Sequence, residues 1–74
     1  MKKNSVLIHT DYIKLDAALK LANAVESGGM AKIVILEENV KVNGEICTMR
    51  GKKLYPNDTF SFNGQTYTVE RYEA

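Results

Sequence analysis

Residues 27–45 read Ser27-Gly28-Gly29-Met30-Ala31-Lys32-Ile33-Val34-Ile35-Leu36-Glu37-Glu38-Asn39-Val40-Lys41-Val42-Asn43-Gly44-Glu45, and the fold turns on how this stretch divides. Its last part is the plainest. Val40 and Val42 alternate with Lys41, and Asn43-Gly44 is the dipeptide that best supports a two-residue hairpin, because both residues tolerate positive φ. Glu45-Ile46-Cys47 then returns as the partner strand. The apolar run Met30–Leu36 fits a buried strand or a buried helix equally well by periodicity. Glu37-Glu38-Asn39 tips the reading toward a helix, with Asn39 as the residue that ends it.

Working outward, Leu15, Ala18, Leu19, Ala22 and Val25 recur at helical spacing. Asp16 sits in the first turn, where the helix dipole favours an anion. The spacing predicts a helix over residues 14–26, broken by Ser27-Gly28-Gly29 because glycine is costly inside a helix. Ser5–Thr10 is rich in β-branched and aliphatic residues and reads as a short first strand. Downstream, Thr59-Phe60-Ser61-Phe62 and Gln65-Thr66-Tyr67-Thr68-Val69 flank Asn63-Gly64, which predicts a second hairpin with clearer alternation than the first. Between the hairpins, Thr48–Tyr55 reads as a basic connecting loop, followed by a turn at Pro56-Asn57-Asp58.

A chain of 74 residues has room for one domain, residues 1–74, and one core. At 45% hydrophobic and 26% charged residues the composition is that of a folding globular protein, not a disordered tail. The apolar run after Lys2 and Lys3 is too short for a signal peptide or a membrane span, so the expected location is the cytoplasm. Cys47 is the sole cysteine, and no histidine or cysteine cluster has metal-ligand spacing, so neither a metal nor another cofactor is expected. Cys47 reads as a small strand hydrophobe and His9 as a strand residue. No nucleophile–base pair can be assembled around His9, which argues against an enzyme.

The net charge of +1 says little, but its distribution is uneven. Residues 1–40 balance, whereas residues 41–58 carry Lys41, Arg50, Lys52 and Lys53 against Glu45 and Asp58. Two places suit a polyanion. A helix starting after Ser27-Gly28-Gly29 offers free N–H groups, the positive end of its dipole and Lys32 in its first turn, although two glycines also suit a tight helix–helix corner. Arg50, Lys52 and Lys53 bracket Gly51 and can meet a strand of phosphates, although such clusters are commonly solvated loops. Tyr55, Phe60, Phe62 and Tyr67 can stack on bases, but aromatic residues in alternating strands of so small a chain are more often core, a reading that covers Tyr55, beside the basic loop, least.

Lys14-Leu15-Asp16 with Leu19, then Ser27-Gly28-Gly29-Met30-Ala31-Lys32, then Val40-Lys41-Val42-Asn43-Gly44-Glu45 resemble, in order and separation, the RNA-binding domain of the ribosomal protein S-four type, whose fold is called the alpha-L motif. Arg50-Gly51-Lys52-Lys53-Leu54-Tyr55 with Asn57-Asp58 is similar to the small stand-alone YaaA-like members. The resemblance spans about residues 12–69. It implies an α+β fold of two helices packed against a small antiparallel sheet of about four to five strands, and resolves residues 30–36 as a helix. It further implies a non-catalytic protein that binds RNA, ribosomal or otherwise structured, with possible ribosome association and no membrane. Carried over position by position, the RNA surface comprises Ser27, Gly29 and Lys32, Lys41 and Asn43, and Arg50, Lys52 and Lys53. The competing reading is a small protein-interaction or scaffold domain whose basic loop is merely a soluble edge.

Overall fold

Alternating burial organises the sheet. Val6 and Ile8 of β1 (Ser5–Ile8), Val40 and Val42 of β3 (Val40–Val42), Phe60 of β6 (Thr59–Phe62) and Val69 of β7 (Gln65–Arg71) all turn inward, while their neighbours along each strand face out. The computed structural model describes residues 4–72. In chain order it also holds β2 (Ile13–Lys14), α1 (Leu15–Leu21), α2 (Gly28–Leu36), β4 (Glu45–Ile46) and β5 (Lys53–Leu54). The five-stranded sheet runs β1-β7-β6-β3-β4, and β2 pairs with β5 in a separate ribbon. Leu15, Ala18 and Leu19 of α1 and Ala31, Val34 and Ile35 of α2 cover the inner face, making one continuous core with the strands.

Both expected hairpins form. Asn43 and Gly44 adopt φ of 51° and 87°, and Asn63 and Gly64 adopt 55° and 80°, the doubly positive pair of a type I′ turn. Residues 30–36 are helical, as the second helix requires. Phe60 is buried and stacks with Tyr67 at 5.1 Å, and Phe62 and Tyr67 pack against the core. Cys47 does the same, half-buried, with its thiol directed at the Met49 carbonyl.

Four expectations need correction. The sheet is mixed rather than wholly antiparallel: β1 pairs parallel with β7, Val6 opposite Val69, while the other pairs are antiparallel. The whole of the intervening chain serves as the long crossover that a parallel pair needs, and pairing with β1 extends β7 to Arg71. The first helix ends at Leu21 instead of Glu26, because Asn23 takes φ 58° and the Asn23 and Ala24 N–H groups donate back to the Lys20 and Leu19 carbonyls, a Schellman closure. The basic stretch is not all loop, since Lys53–Leu54 pairs with Ile13–Lys14 and Leu54 is fully buried. His9 lies one residue beyond β1, its ring 4.9 Å from that of Tyr72.

Candidate nucleic-acid interface

The start of α2 is held by Ser27, whose extended backbone and side-chain Oγ, accepting the Met30 N–H at 3.2 Å, form an N-cap. Neither Gly28 nor Gly29 has positive φ. A Cβ on Gly28 would meet nothing within 4 Å, and one on Gly29 only Ser27 Oγ at 3.8 Å. Neither strain nor crowding therefore calls for glycine here, and the first turn presents bare backbone to solvent. No acidic side chain offsets the dipole in that turn, and Lys32 is exposed beside it. Ser27, Gly29 and Lys32 thus form one cluster, in which the Ser27 hydroxyl already caps the helix.

The basic segment is fastened to the start of α1. The Lys52 carbonyl accepts the Leu15 N–H at 2.9 Å and the Arg50 carbonyl accepts the Asp16 N–H at 3.1 Å, satisfying two donors that a helix start otherwise leaves unpaired. With both carbonyls turned to the helix, the side chains of Arg50, Lys52 and Lys53 stay exposed. In the β2–β5 ribbon Ile13 is opposite Leu54 and Lys14 opposite Lys53. Continuing that register by one residue brings Tyr12 opposite Tyr55, and their rings lie 5.9 Å apart, tilted by 48°. Leu54 points into the core, so alternation puts Tyr12, Lys14, Lys53 and Tyr55 together on the outer face. Lys53 Nζ lies 4.9 Å from the centre of the Tyr12 ring, within cation–π range. The salt bridge seen among the described residues joins Arg71 to Asp11, leaving Lys14 and Lys53 without a carboxylate partner there.

The first hairpin supplies its two residues differently. Lys41 stands on the sheet's outer face between Ile46 and Ser61, above a shallow hollow of about 310 Å³ that Ser61 and Thr66 help to line. Asn43 is committed within the protein. Its Oδ1 accepts from the Thr59 N–H at 2.9 Å and from Thr59 Oγ1 at 3.3 Å, and its Nδ2 donates to Asp58 Oδ1 at 3.3 Å. The other oxygen of Asp58 accepts the Tyr55 N–H at 2.7 Å. Asn43 therefore contributes position: through Asp58 it fixes the backbone of Tyr55. Asn43 and Lys52 also border a common hollow of about 320 Å³ between the hairpin and the basic segment. Tyr12 and Lys14 are residues that pattern reading passed over, because a two-residue strand carries too little periodicity to reveal which side chains share its face.

This architecture belongs to the S4 domain family, whose description matches residues 6–70 of the chain. Among its relatives, the probable ribosome maturation protein RlbA of Bacillus subtilis (strain 168) is 44% identical over 61 residues, covering 82% of this chain and 86% of that protein. YbcJ of Escherichia coli (strain K12) is 40% identical over 58 residues, covering 78% and 83%. The solution structure of YbcJ from E. coli, described as revealing an alpha-L motif involved in RNA binding, superposes with a TM-score of 0.73 at 32% identity, over 95% of this chain and 90% of that one.

Proposed function

We propose that this protein is a non-catalytic RNA-binding module of the cytoplasm that grips structured RNA through backbone phosphates and helical shape and serves ribosome maturation or a related step of RNA metabolism. The observation that carries the proposal is the set of outward cations, Lys14, Arg50, Lys52 and Lys53, which the α1 start and the β2–β5 ribbon hold together with no carboxylate partner among the described residues. Cations held this way neutralise phosphates without first breaking an ion pair. The uncompensated start of α2, with Lys32, adds a second anion-seeking point, and Lys41 a third on the sheet face. Asn43 acts by holding the hairpin and the Tyr55 turn in place. The names of the relatives, one a ribosome maturation protein and one an RNA-binding structure, support the same reading.

A second reading has one observation in its favour. Met30, Ile33 and Leu36 leave an apolar stripe on the outer side of α2, which suits a protein-interaction or scaffold domain. Crosslinking in cells separates the two. RNA recovered with the wild-type chain is expected to fall at least ten-fold for Lys32→Glu combined with Arg50→Glu, both exposed positions where folding should survive. Undiminished RNA recovery from the folded double variant, or recovery of protein with no nuclease-sensitive component, would refute the phosphate-gripping surface.

A further inference from the structure

The outer face of the β2–β5 ribbon is built for more than phosphate. Lys14 and Lys53 are directly opposite across an antiparallel pair, an arrangement of like charges that costs stability. No described carboxylate forms a salt bridge with either lysine. A face that retains this repulsion suits a ligand that brings negative charge of its own. Beside the lysines, Tyr12 and Tyr55 are 36% and 49% exposed, although phenol rings of this size gain most from burial. Lys53 already lies over the Tyr12 ring, and Tyr12 in turn buttresses Tyr55 from the side. The exposed surface of Tyr55 is therefore the one left for a ligand.

The mounting of Tyr55 is rigid. Its N–H donates to Asp58 Oδ2, its carbonyl accepts the Asp58 N–H at 2.9 Å, and Asp58 is itself held by Asn43. The next residue but one, Asn57, is pinned by its N–H to the Val69 carbonyl. With its backbone fixed on both sides and its ring leaning on Tyr12, Tyr55 has less freedom to lose when something stacks on it.

We infer that Tyr55, buttressed by Tyr12 and flanked by Lys14 and Lys53, is a stacking platform for one unpaired nucleobase of the bound RNA, with the two lysines taking the adjoining phosphates. This rests on the RNA-binding reading and narrows it to RNA with an overhang, bulge or junction beside the gripped helix. A base inside a duplex has both faces occupied by its neighbours, whereas an unpaired base offers a face to an aromatic ring. Stacking of this kind tolerates any base, so the site selects for being unpaired rather than for sequence.

The test uses one RNA duplex in three forms: blunt, with a three-nucleotide overhang, and with the same overhang made abasic, so that the phosphates stay and the bases go. The intact overhang is expected to bind roughly ten-fold tighter than the abasic one. Tyr55→Ala should erase that difference, bringing the intact overhang down to the affinity of the abasic one, and Tyr55→Phe should restore it. Equal binding of the intact and abasic overhangs by wild-type protein, or a preference that survives Tyr55→Ala, would overturn the platform while the phosphate-binding reading stands. Absence of binding to all three RNAs would sink both.

Discussion

Glu38 holds a backbone conformation that its side chain disfavours. Both helices end in the same Schellman closure, with the Glu38 and Asn39 N–H groups returning to the Ile35 and Val34 carbonyls at the end of α2, and the left-handed residue there is Glu38 at φ 65°. A non-glycine residue in that region costs about 1 kcal/mol, and a carboxylate at a helix C-terminus adds an unfavourable dipole contact. Glu38→Gly is therefore expected to raise stability by about 1 kcal/mol, seen as a thermal midpoint roughly 4–8 °C higher for a domain of this size. An unchanged or lower midpoint would contradict the closure. Single residues were legible in the sequence where backbone chemistry is distinctive. Asn43-Gly44 and Asn63-Gly64 announce their turns because few other pairs tolerate φ above zero twice. Asn39 was the expected end of α2, yet the left-handed position fell one residue earlier, at Glu38, and Asn39 instead supplies the N–H that returns to the Val34 carbonyl. Tyr55, beside the basic loop, was the aromatic residue that the core reading covered least, and the register of the ribbon shows its outward face.

At the scale of elements, long patterns were readable and short ones were not. The second hairpin and the start of α2 at Ser27 follow from patterns several residues long, whereas periodicity left residues 30–36 open between strand and helix and the family resemblance resolved them. The β2–β5 ribbon has two residues per strand and is specified by tertiary contact: the α1 start needs acceptors, and the Arg50 and Lys52 carbonyls supply them. Leu54, fully buried within the basic stretch, ties this ribbon to the core. Leu54→Ala is expected to cost about 2–5 kcal/mol, the range for truncating a buried leucine, and denaturant unfolding measures it directly. A loss below about 1 kcal/mol would mean that the ribbon is not anchored there. The candidate surface divides in the same way. The Ser27-Gly28-Gly29 start with Lys32, and the Arg50-Lys53 cluster, stood out by composition, whereas Tyr12 and Lys14 entered only through the register of the ribbon.

For the molecule as a whole, the α+β class with two helices packed against a sheet of about four to five strands was legible through the family resemblance, and the parallel pairing of β1 with β7 was not. Hairpin rules act locally, whereas that pair joins the two ends of the described chain and is settled by the inward turn of Val6 and Ile8 onto the shared core. Net charge also misleads at this scale. A value of +1 suggests no polyanion partner, yet the fold gathers Lys14, Arg50, Lys52 and Lys53 around one helix start, where Asp16 is the acidic residue of the first turn and its carboxylate accepts the Ala17 N–H instead of pairing with them. RNA binding of the proposed kind requires that this gathering neutralise phosphates. Affinity for a structured RNA, measured across a series of salt concentrations, tests it most directly. With about three to five phosphates engaged, log affinity is predicted to fall against log salt with a slope of roughly 2–4.5, and the slope should shrink by close to one unit for each cation removed. A flat response, or a slope unmoved when Arg50 and Lys52 are neutralised together, would contradict it.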